Sequence, residues 1–486
     1  MPIHFGTDGW RAVISDTFTF NNLRMVAQAI ADAVKADLKN GAAQKAAQNG
    51  GPKIVVGFDT RFMSDRFAMD VARVLAANGL KALLTQSDCP TPALSYAVKD
   101  LGAMAGVMIT ASHNPPRYNG VKLKSADGAS APSEQCKRVE VYLSDNETRG
   151  RGPNLLEFET GVEKDLIERI DPMPRYYAHL RTLIDLDLIA KHPGRVVVDA
   201  MHGSGRRAIG DVLAGSGWSV DCIRAEMNPG FGGVHPEPIM RYLRALQEAL
   251  RAAPGAFGLA TDGDADRIAA MDEAGEFVDP HKIMALALKY LVEKRGLSGR
   301  VVRTVSTTRI IDRIATEHGL QLTETPVGFN HIADLMLSDD VLIGGEESGG
   351  ISFKGHIPEG DGVLMGLLIV EMVAASGGSL HDMVADLLAK YGPAHYARTD
   401  LRLKRPVDKA RMTRRLKDNA PAELGGESVQ QVANTDGCKY ILADDSWLLI
   451  RPSGTEPILR VYAEGRSPGM LKALMDYGEQ VAAEVS

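Results

Sequence analysis

The stretch Lys53-Ile54-Val55-Val56-Gly57-Phe58-Asp59-Thr60 opens with a basic residue, continues through β-branched side chains and ends polar. That pattern predicts a buried strand whose carboxyl end meets solvent or a ligand. A helix-like segment, Arg66 to Asn78, follows it. The same plan returns at Arg195-Val196-Val197-Val198-Asp199-Ala200 with Arg207 to Ser216, and at Arg300-Val301-Val302-Arg303-Thr304-Val305-Ser306-Thr307 with Arg309 to His318. In each region a second apolar run ends in a polar loop. Ala105 to Ile109 leads to Ser112, Phe257 to Thr261 to Asp262, and Val341 to Gly344 to Glu346. Strands alternating with amphipathic helices imply parallel α/β layers. Such sheets bind ligands beyond the carboxyl ends of their strands. Since βα units resemble one another by composition, the repeat argues a fold class more than a site.

The chain has 486 residues, 44% hydrophobic and 24% charged, which suits about three or four domains at roughly 150 residues each. A formal net charge of -7 gives no overall basic field, so neither nucleic acid nor an anionic membrane is expected as a partner. Any anion must meet a local cluster of donors. Cys89, Cys136, Cys222 and Cys438 form no CxxC pair, which excludes zinc-ribbon and thioredoxin-type chemistry and predicts reduced thiols. Met1-Pro2-Ile3-His4-Phe5 shows no signal-peptide pattern, and a cytoplasmic location is expected. The greasiest run, Val363 to Ala375, contains Glu371 and is too short to span a bilayer; a buried helix is predicted. Polar stretches at Ser144 to Asn154, Asp272 to Glu276 and Tyr391 to Thr399 suggest domains over residues 1–150, 151–274, 275–395 and 396–486. The last begins rich in Arg and Lys and reads as a smaller α+β domain. Gly41 to Gly51 reads as a mobile surface loop.

Five loops carry side chains suited to chemistry. In Thr110-Ala111-Ser112-His113-Asn114-Pro115, a hydroxyl beside an imidazole on a turn is a candidate nucleophile. Asp262-Gly263-Asp264-Ala265-Asp266-Arg267 alternates carboxylates that can converge on a hard divalent cation. A calcium loop of the EF-hand type would need glycine where Arg267 stands and helical flanks where strands are predicted; a metal-free acidic turn is the other reading. Three such ligands leave positions for water or a phosphate oxygen, as magnesium prefers. Arg267 can offset leftover carboxylate charge or grip a phosphate. Gly344-Gly345-Glu346-Glu347-Ser348-Gly349-Gly350 suits a polyhydroxylated ligand or is a plain glycine-rich turn. Arg451-Pro452-Ser453-Gly454-Thr455-Glu456-Pro457 makes an anion nest or a turn between strands. Phe5-Gly6-Thr7-Asp8-Gly9-Trp10-Arg11 reads as a hairpin, of interest if the fold carries Arg11 to Ser112. Lys122 follows the serine loop closely enough to offer a charge there, or is an ordinary solvated lysine.

Together these loops resemble the α-D-phosphohexomutase family, the phosphoglucomutases and phosphomannomutases. The likeness runs from Phe5 to about Tyr462, with every motif in family order. It implies three tandem similar α/β mixed-sheet domains plus a C-terminal α+β domain around a central cleft. Ser112 would be the phosphoserine, and Asp262, Asp264 and Asp266 would hold Mg²⁺, which also touches the seryl phosphate. Glu346 and Ser348 would bind sugar hydroxyls. Arg451, Ser453, Gly454 and Thr455 would hold the phosphate that does not react. Arg11 and Lys122 would stabilise the transferring group and assist proton transfer, with His113 beside the phosphoserine. Gly328 and Phe329 match the loop that discriminates the two sugar orientations. Two positions depart from the family pattern. Many members have lysine where Asn330 stands, and many bacterial ones have histidine where Gly350 stands. His356 resembles the histidine of another branch and is carried as a catalytic candidate.

The implied reaction is interconversion of glucose 1-phosphate and glucose 6-phosphate, with a hexose 1,6-bisphosphate as intermediate and activator. Glu346-Glu347-Ser348 resembles the form common in phosphoglucomutases, which ranks glucose first, mannose or dual use second, and glucosamine below them. A phosphatase or a non-catalytic sugar-phosphate sensor are the competing classes. A monomer or homodimer is expected, with closure of the last domain about a hinge near residues 391–399.

Overall fold

In the computed structural model, residues 3–6, 9–39, 51–405, 407–453 and 457–485 are described. They fall in two compact units, one built from residues 1–283, 333–339 and 348–381, the other from 284–332, 340–347 and 382–486. The expected loop at residues 41–50 lies outside the described residues, as do Gly454 and Thr455.

The first unit holds two mixed sheets of one plan. In the first, β1 (Trp10–Val13), β2 (Lys53–Phe58), β3 (Lys81–Thr85), β4 (Ala105–Ile109), β5 (Tyr118–Ser125) and β6 (Ile167–Ile170) lie in the order β1-β5-β4-β2-β3-β6. β2 is parallel to β3 and β4, and β5 turns back antiparallel on β4. In the second, β7 (Arg195–Asp199), β8 (Ser219–Ile223), β9 (Phe257–Thr261), β10 (Ile268–Met271) and β11 (Phe277–Val278) take the order β11-β10-β9-β7-β8. β7 stands between parallel β8 and β9, and β10 turns back on β9. The internal repeat is therefore real: β4 and β9 are corresponding strands, each wholly buried, each delivering its polar loop at the same end. This unit also contains β15 (Ile351–Phe353) and the buried helix Gly362–Ser376.

Two of the polar stretches expected at boundaries carry regular structure. The helix Ser133–Thr148 runs into the polar stretch Ser144 to Asn154, and the chain then returns through β6 to pair with β3. The first sheet thus extends past residue 150. Asp272 to Glu276 closes the β10–β11 hairpin, with Asp272 accepting from the backbone N–H groups of Ala274 and Glu276.

In the second unit, β12 (Arg300–Thr304) lies between parallel β13 (Leu322–Thr325) and β14 (Val341–Gly345), the third copy of the plan. The C-terminal part is an antiparallel sheet of β16 (His395–Arg402), β17 (Glu423–Leu424), β18 (Glu427–Ala433), β19 (Cys438–Leu442), β20 (Trp447–Pro452) and β21 (Ile458–Gly465), in the order β16-β21-β20-β19-β18-β17. Alternation along β20 divides its apolar run between the sheet's two faces. Leu448 and Ile450 join Met412, Leu416 and Leu474 of the helices Lys409–Asp418 and Pro468–Val485. Trp447 and Leu449 join Val305, just past β12.

The expected hinge at 391–399 is mostly strand. β16 begins at His395 and is in register with β21 throughout. Before it, Arg313 and Arg466 donate to the Tyr391 carbonyl, and Arg466 also to that of Pro393. An edge strand with alternately exposed polar residues looks like a linker in sequence.

The four cysteines are free thiols. Among the described residues no single helix is long and apolar enough to cross a membrane. Within Gly362–Ser376, Glu371 is enclosed and accepts from the Asp185 N–H at 2.7 Å.

Candidate active site

β4 ends in a turn that places Ser112 in the left-handed region, φ 51°. The Ser112 N–H donates to Thr110 Oγ1 at 2.9 Å. Its hydroxyl donates to Asp262 Oδ2 at 2.8 Å and lies 3.3 Å from His113 Nδ1. Pairing of β1 with β5 sets Arg11 opposite Gly120. From there Arg11 donates to Asn114 Oδ1 at 3.2 Å, so the N-terminal strand does reach the serine loop.

The acidic loop joins the antiparallel strands β9 and β10, which removes the EF-hand reading. Ligand oxygens of Asp262, Asp264 and Asp266 all lie within 4.8 Å of one another. Lys122, on β5, reaches Asp264 at 2.9 Å and Asp266 at 2.6 Å. Arg267 Nε stands 4.0 Å from Asp262 and 3.8 Å from Asp266. Burial, reinforced by the neighbouring Asp266 and Asp264 charges, pushes the Asp262 carboxyl well above the usual carboxylate range. Burial also acts to raise Asp264, but Lys122 and the Thr91 hydroxyl overcome it and hold Asp264 below its ordinary value.

The donor set fits a hard divalent cation. Asp264 Oδ1 and Asp266 Oδ1 are buried with no hydrogen-bond partner, a costly state for carboxylate oxygens that a metal would relieve. The backbones of the two loops also meet closely. A Cβ on Gly263 would lie 2.4 Å from the Ser112 carbonyl oxygen, so only glycine lets the acidic loop approach the serine.

In the second unit, Glu346 accepts from the Gly328 N–H at 2.9 Å, joining two predicted sugar-contacting loops. Phe329 begins the helix Phe329–Ser338 and is half-buried. Asn330 is buried with its Oδ1 unpartnered. Gly328 has φ +133°, and a Cβ there would sit 2.5 Å from that oxygen. Glu347 accepts from Ser306 Oγ at 2.7 Å and lies 3.6 Å from Arg398 Nη1. Its carboxylate is thus committed to the protein. Arg451 donates to Asp436 at 2.6 Å, and Asp436 also accepts from Lys409 and from the Val327 N–H. Ser453 is buried, its N–H bonded to the Ile458 carbonyl. Ser348, in the first unit, is half-buried.

His356 is placed otherwise than a catalytic histidine requires. Its side chain is fully enclosed. Nε2 lies 3.0 Å from Asp361 Oδ2 and Nδ1 3.0 Å from His179 Nε2. Asp361 also accepts from the Tyr176 hydroxyl and caps the helix Gly362–Ser376 through the Leu364 N–H. Both imidazole nitrogens therefore face protein, and the sequence motif concealed that enclosure.

Other residues escaped the sequence reading. Thr91 donates from Oγ1 to Asp264 Oδ2 at 2.6 Å, and its N–H donates to the Asp264 carbonyl. Asp59 and Arg61, just beyond β2, lie buried beneath the serine loop. Burial pushes the Asp59 carboxyl up to about 6 against the pull of Arg61. The available signal was the polar ending of the opening strand, since corresponding strands deliver loops to the same end.

The chain matches the phosphoglucomutase/phosphomannomutase alpha/beta/alpha domains I, II and III over residues 2–149, 174–275 and 279–391, and the C-terminal domain over 408–478. It is 31% identical to a phosphoglucomutase/phosphomannomutase of Thermococcus kodakarensis, covering 99% of this chain and 98% of that one. It is 32% identical to a phosphoglucosamine mutase of Moorella thermoacetica, covering 99% of each. A crystal structure from Thermus thermophilus, provisionally assigned as a phosphomannomutase, superposes with a TM-score of 0.83 at 34% identity over 99% of both chains. Four domains matched in order, with a serine and an acidic triad brought together across two of them, leave one assignment: the chain belongs to the phosphoglucomutase/phosphomannomutase family of α-D-phosphohexomutases, intramolecular phosphotransferases.

Proposed function

We propose that this enzyme interconverts hexose 1-phosphates and hexose 6-phosphates by storing a phosphoryl group on Ser112. The observation that carries the reading is Ser112 Oγ at 2.8 Å from Asp262 in the buried acidic cluster, with His113 Nδ1 at 3.3 Å. Phosphoryl transfer needs alignment and charge neutralisation more than covalent assistance. In the first half-reaction the Oγ–P bond of phosphoserine breaks as a bond forms from phosphorus to the sugar's free hydroxyl oxygen. The hydroxyl proton passes to a base, for which His113, 3.3 Å from Oγ, is the candidate, and the departing Ser112 Oγ takes up a proton to become a hydroxyl. The resulting hexose 1,6-bisphosphate then returns its other phosphoryl group: the Ser112 hydroxyl loses its proton as the new Oγ–P bond forms, the sugar O–P bond breaks, and the released sugar oxygen takes up a proton. Asp262, Asp264 and Asp266 would hold Mg²⁺, whose charge would offset that on the transferring oxygens. Lys122, Arg11 and Arg267 supply further positive charge around the serine loop. Arg451 and Ser453 are assigned to the phosphate that does not react. A cytoplasmic location accompanies this reading, in keeping with four free thiols.

Glucose and mannose phosphates are the favoured substrates. A protonated 2-amino group would gain from a free carboxylate, but Glu347 is engaged by Ser306 and Arg398. Glucosamine 1-phosphate is the second reading, favoured by the name of the Moorella relative. One coupled assay of the three 1-phosphates, with inorganic phosphate followed in parallel, decides. Formation of 6-phosphate from glucose or mannose 1-phosphate without phosphate release is expected. Net phosphate release would instead mark a phosphatase, and turnover of glucosamine 1-phosphate alone would establish the second reading.

A further inference from the structure

We propose that Arg61 is a positioning residue for phosphoryl transfer, holding the Ser112 loop in the conformation that keeps Oγ on the acidic cluster. The proposal rests on Ser112 being the phosphoryl carrier. A guanidinium has five N–H donors in a rigid fork, and all five are used here. Nε donates to Asp59 Oδ2 at 3.1 Å. Nη1 donates to the carbonyls of Pro115 at 2.9 Å and Tyr118 at 3.0 Å. Nη2 donates to the carbonyls of Ser112 and Asn114, each at 2.7 Å. Four of the five bonds therefore fall on the backbone of one loop, residues 112–118. The guanidinium also lies over the Phe231 ring, 5.0 Å from its centroid.

A buried arginine beside an aspartate ordinarily reads as an ion pair. Here only one N–H goes to the carboxylate. Asp59 is otherwise occupied by the Thr110 and Ser64 hydroxyls and the Arg61 N–H. What Arg61 adds is a hold on four carbonyls of the turn. Ser112 sits at φ 51°, a conformation that a non-glycine residue keeps only where its surroundings enforce it. Thr110 holds the Ser112 N–H and Arg61 holds its carbonyl, so the peptide groups on both sides of the nucleophile are tied to a single buried pair. The enzyme must give up and retrieve a phosphoryl group from the same oxygen. Both transfers need that oxygen in one place, and a displacement of about 1 Å can lower rate by ~100-fold. Lysine keeps the charge but has three donors on one nitrogen, and cannot span four carbonyls.

The test compares wild type, Arg61→Lys, Arg61→Ala and a destabilised control, Leu75→Ala, whose buried side chain lies outside the serine loop. Turnover, KM, melting temperature and Ser112 phosphate content are measured for each. The expected result is a kcat lowered by about 100-fold in Arg61→Lys, with KM for the hexose phosphate within about threefold of wild type. Millimolar guanidinium should restore part of the activity of Arg61→Ala and none in Arg61→Lys, whose side chain fills the site. Near-native kcat in Arg61→Lys would overturn the proposal. So would an equal loss in Leu75→Ala at the same melting temperature, or an Arg61→Lys enzyme that does not fold, which would assign Arg61 to stability alone. Absence of phosphate on Ser112 in the wild type would defeat the parent reading instead, so the two failures are distinguishable.

Discussion

Ser112 Oγ and Asp262 Oδ2 lie 2.8 Å apart although 150 residues separate them in the chain. They come from corresponding ends of β4 and β9, and the relationship explains why the enzyme is built from repeated α/β units. Each unit delivers one loop, and chemistry begins where two loops meet.

Metal binding should be visible as stability as well as activity. Three carboxylates in one buried pocket repel one another, and a ligand that binds only the folded state raises its melting temperature. Mg²⁺ should therefore raise the wild-type melting temperature, and a chelator should abolish turnover until Mg²⁺ is restored. Asp264→Asn should lose both responses. Thermal shift with and without Mg²⁺ checks this; an undiminished shift in the variant would remove Asp264 from the ligand set.

The approach of the two loops should be intolerant of a single methyl group. With its Cβ 2.4 Å from the Ser112 carbonyl, Gly263→Ala should cost about 1–3 kcal/mol of stability and most of the activity. Denaturant unfolding and initial-rate kinetics on the same preparation check it.

Glu347 should act as a latch rather than a sugar reader. Glu347→Met frees Arg398 and Ser306, and should raise KM and destabilise the protein by about 1–3 kcal/mol. The preference among glucose, mannose and glucosamine 1-phosphates should stay in order. Relative kcat/KM for the three checks this, and a reordered preference would place Glu347 in the sugar site.

Stability should also fall in mildly acid solution because of His179. Its pKa is lowered from 6.5 to about 4, first by burial and then by repulsion from His356. Above pH 6.5 the imidazole is neutral in both folded and unfolded chains, and the folded state loses nothing. Between 6.5 and 4 the unfolded chain binds a proton that the folded one refuses, so unfolding is increasingly favoured as pH falls. The melting temperature should decline through that window, less steeply in His179→Gln. Equal slopes in the two proteins would exclude His179 as a source.

Much of this architecture could be read from periodicity. The apolar runs Ala105 to Ile109 and Phe257 to Thr261 are strands to the residue, because a run buried on both sides has no polar positions to blur its ends. The serine and acidic loops were legible for the same reason: each interrupts such a run abruptly. What stayed hidden depends on distance in space. The polar ending of β2 is the local sign of Arg61, four of whose five partners stand 51 to 57 residues on, and nothing local marks Thr91, bonded to a loop 173 residues away. His356 misled because a motif names a residue type and not its partners. The stretch 391–399 reads as a linker because an exposed edge strand such as β16 is as polar as one.

Intact-protein mass spectrometry with peptide mapping tests the phosphoserine most directly. The protein, as isolated or after exposure to a hexose 1,6-bisphosphate, should carry one phosphate on Ser112, and Ser112→Ala should carry none, fold normally and have no mutase turnover. A wild-type protein that turns over hexose phosphate without ever bearing phosphate on Ser112, or a Ser112→Ala variant with near-native activity, would contradict the account.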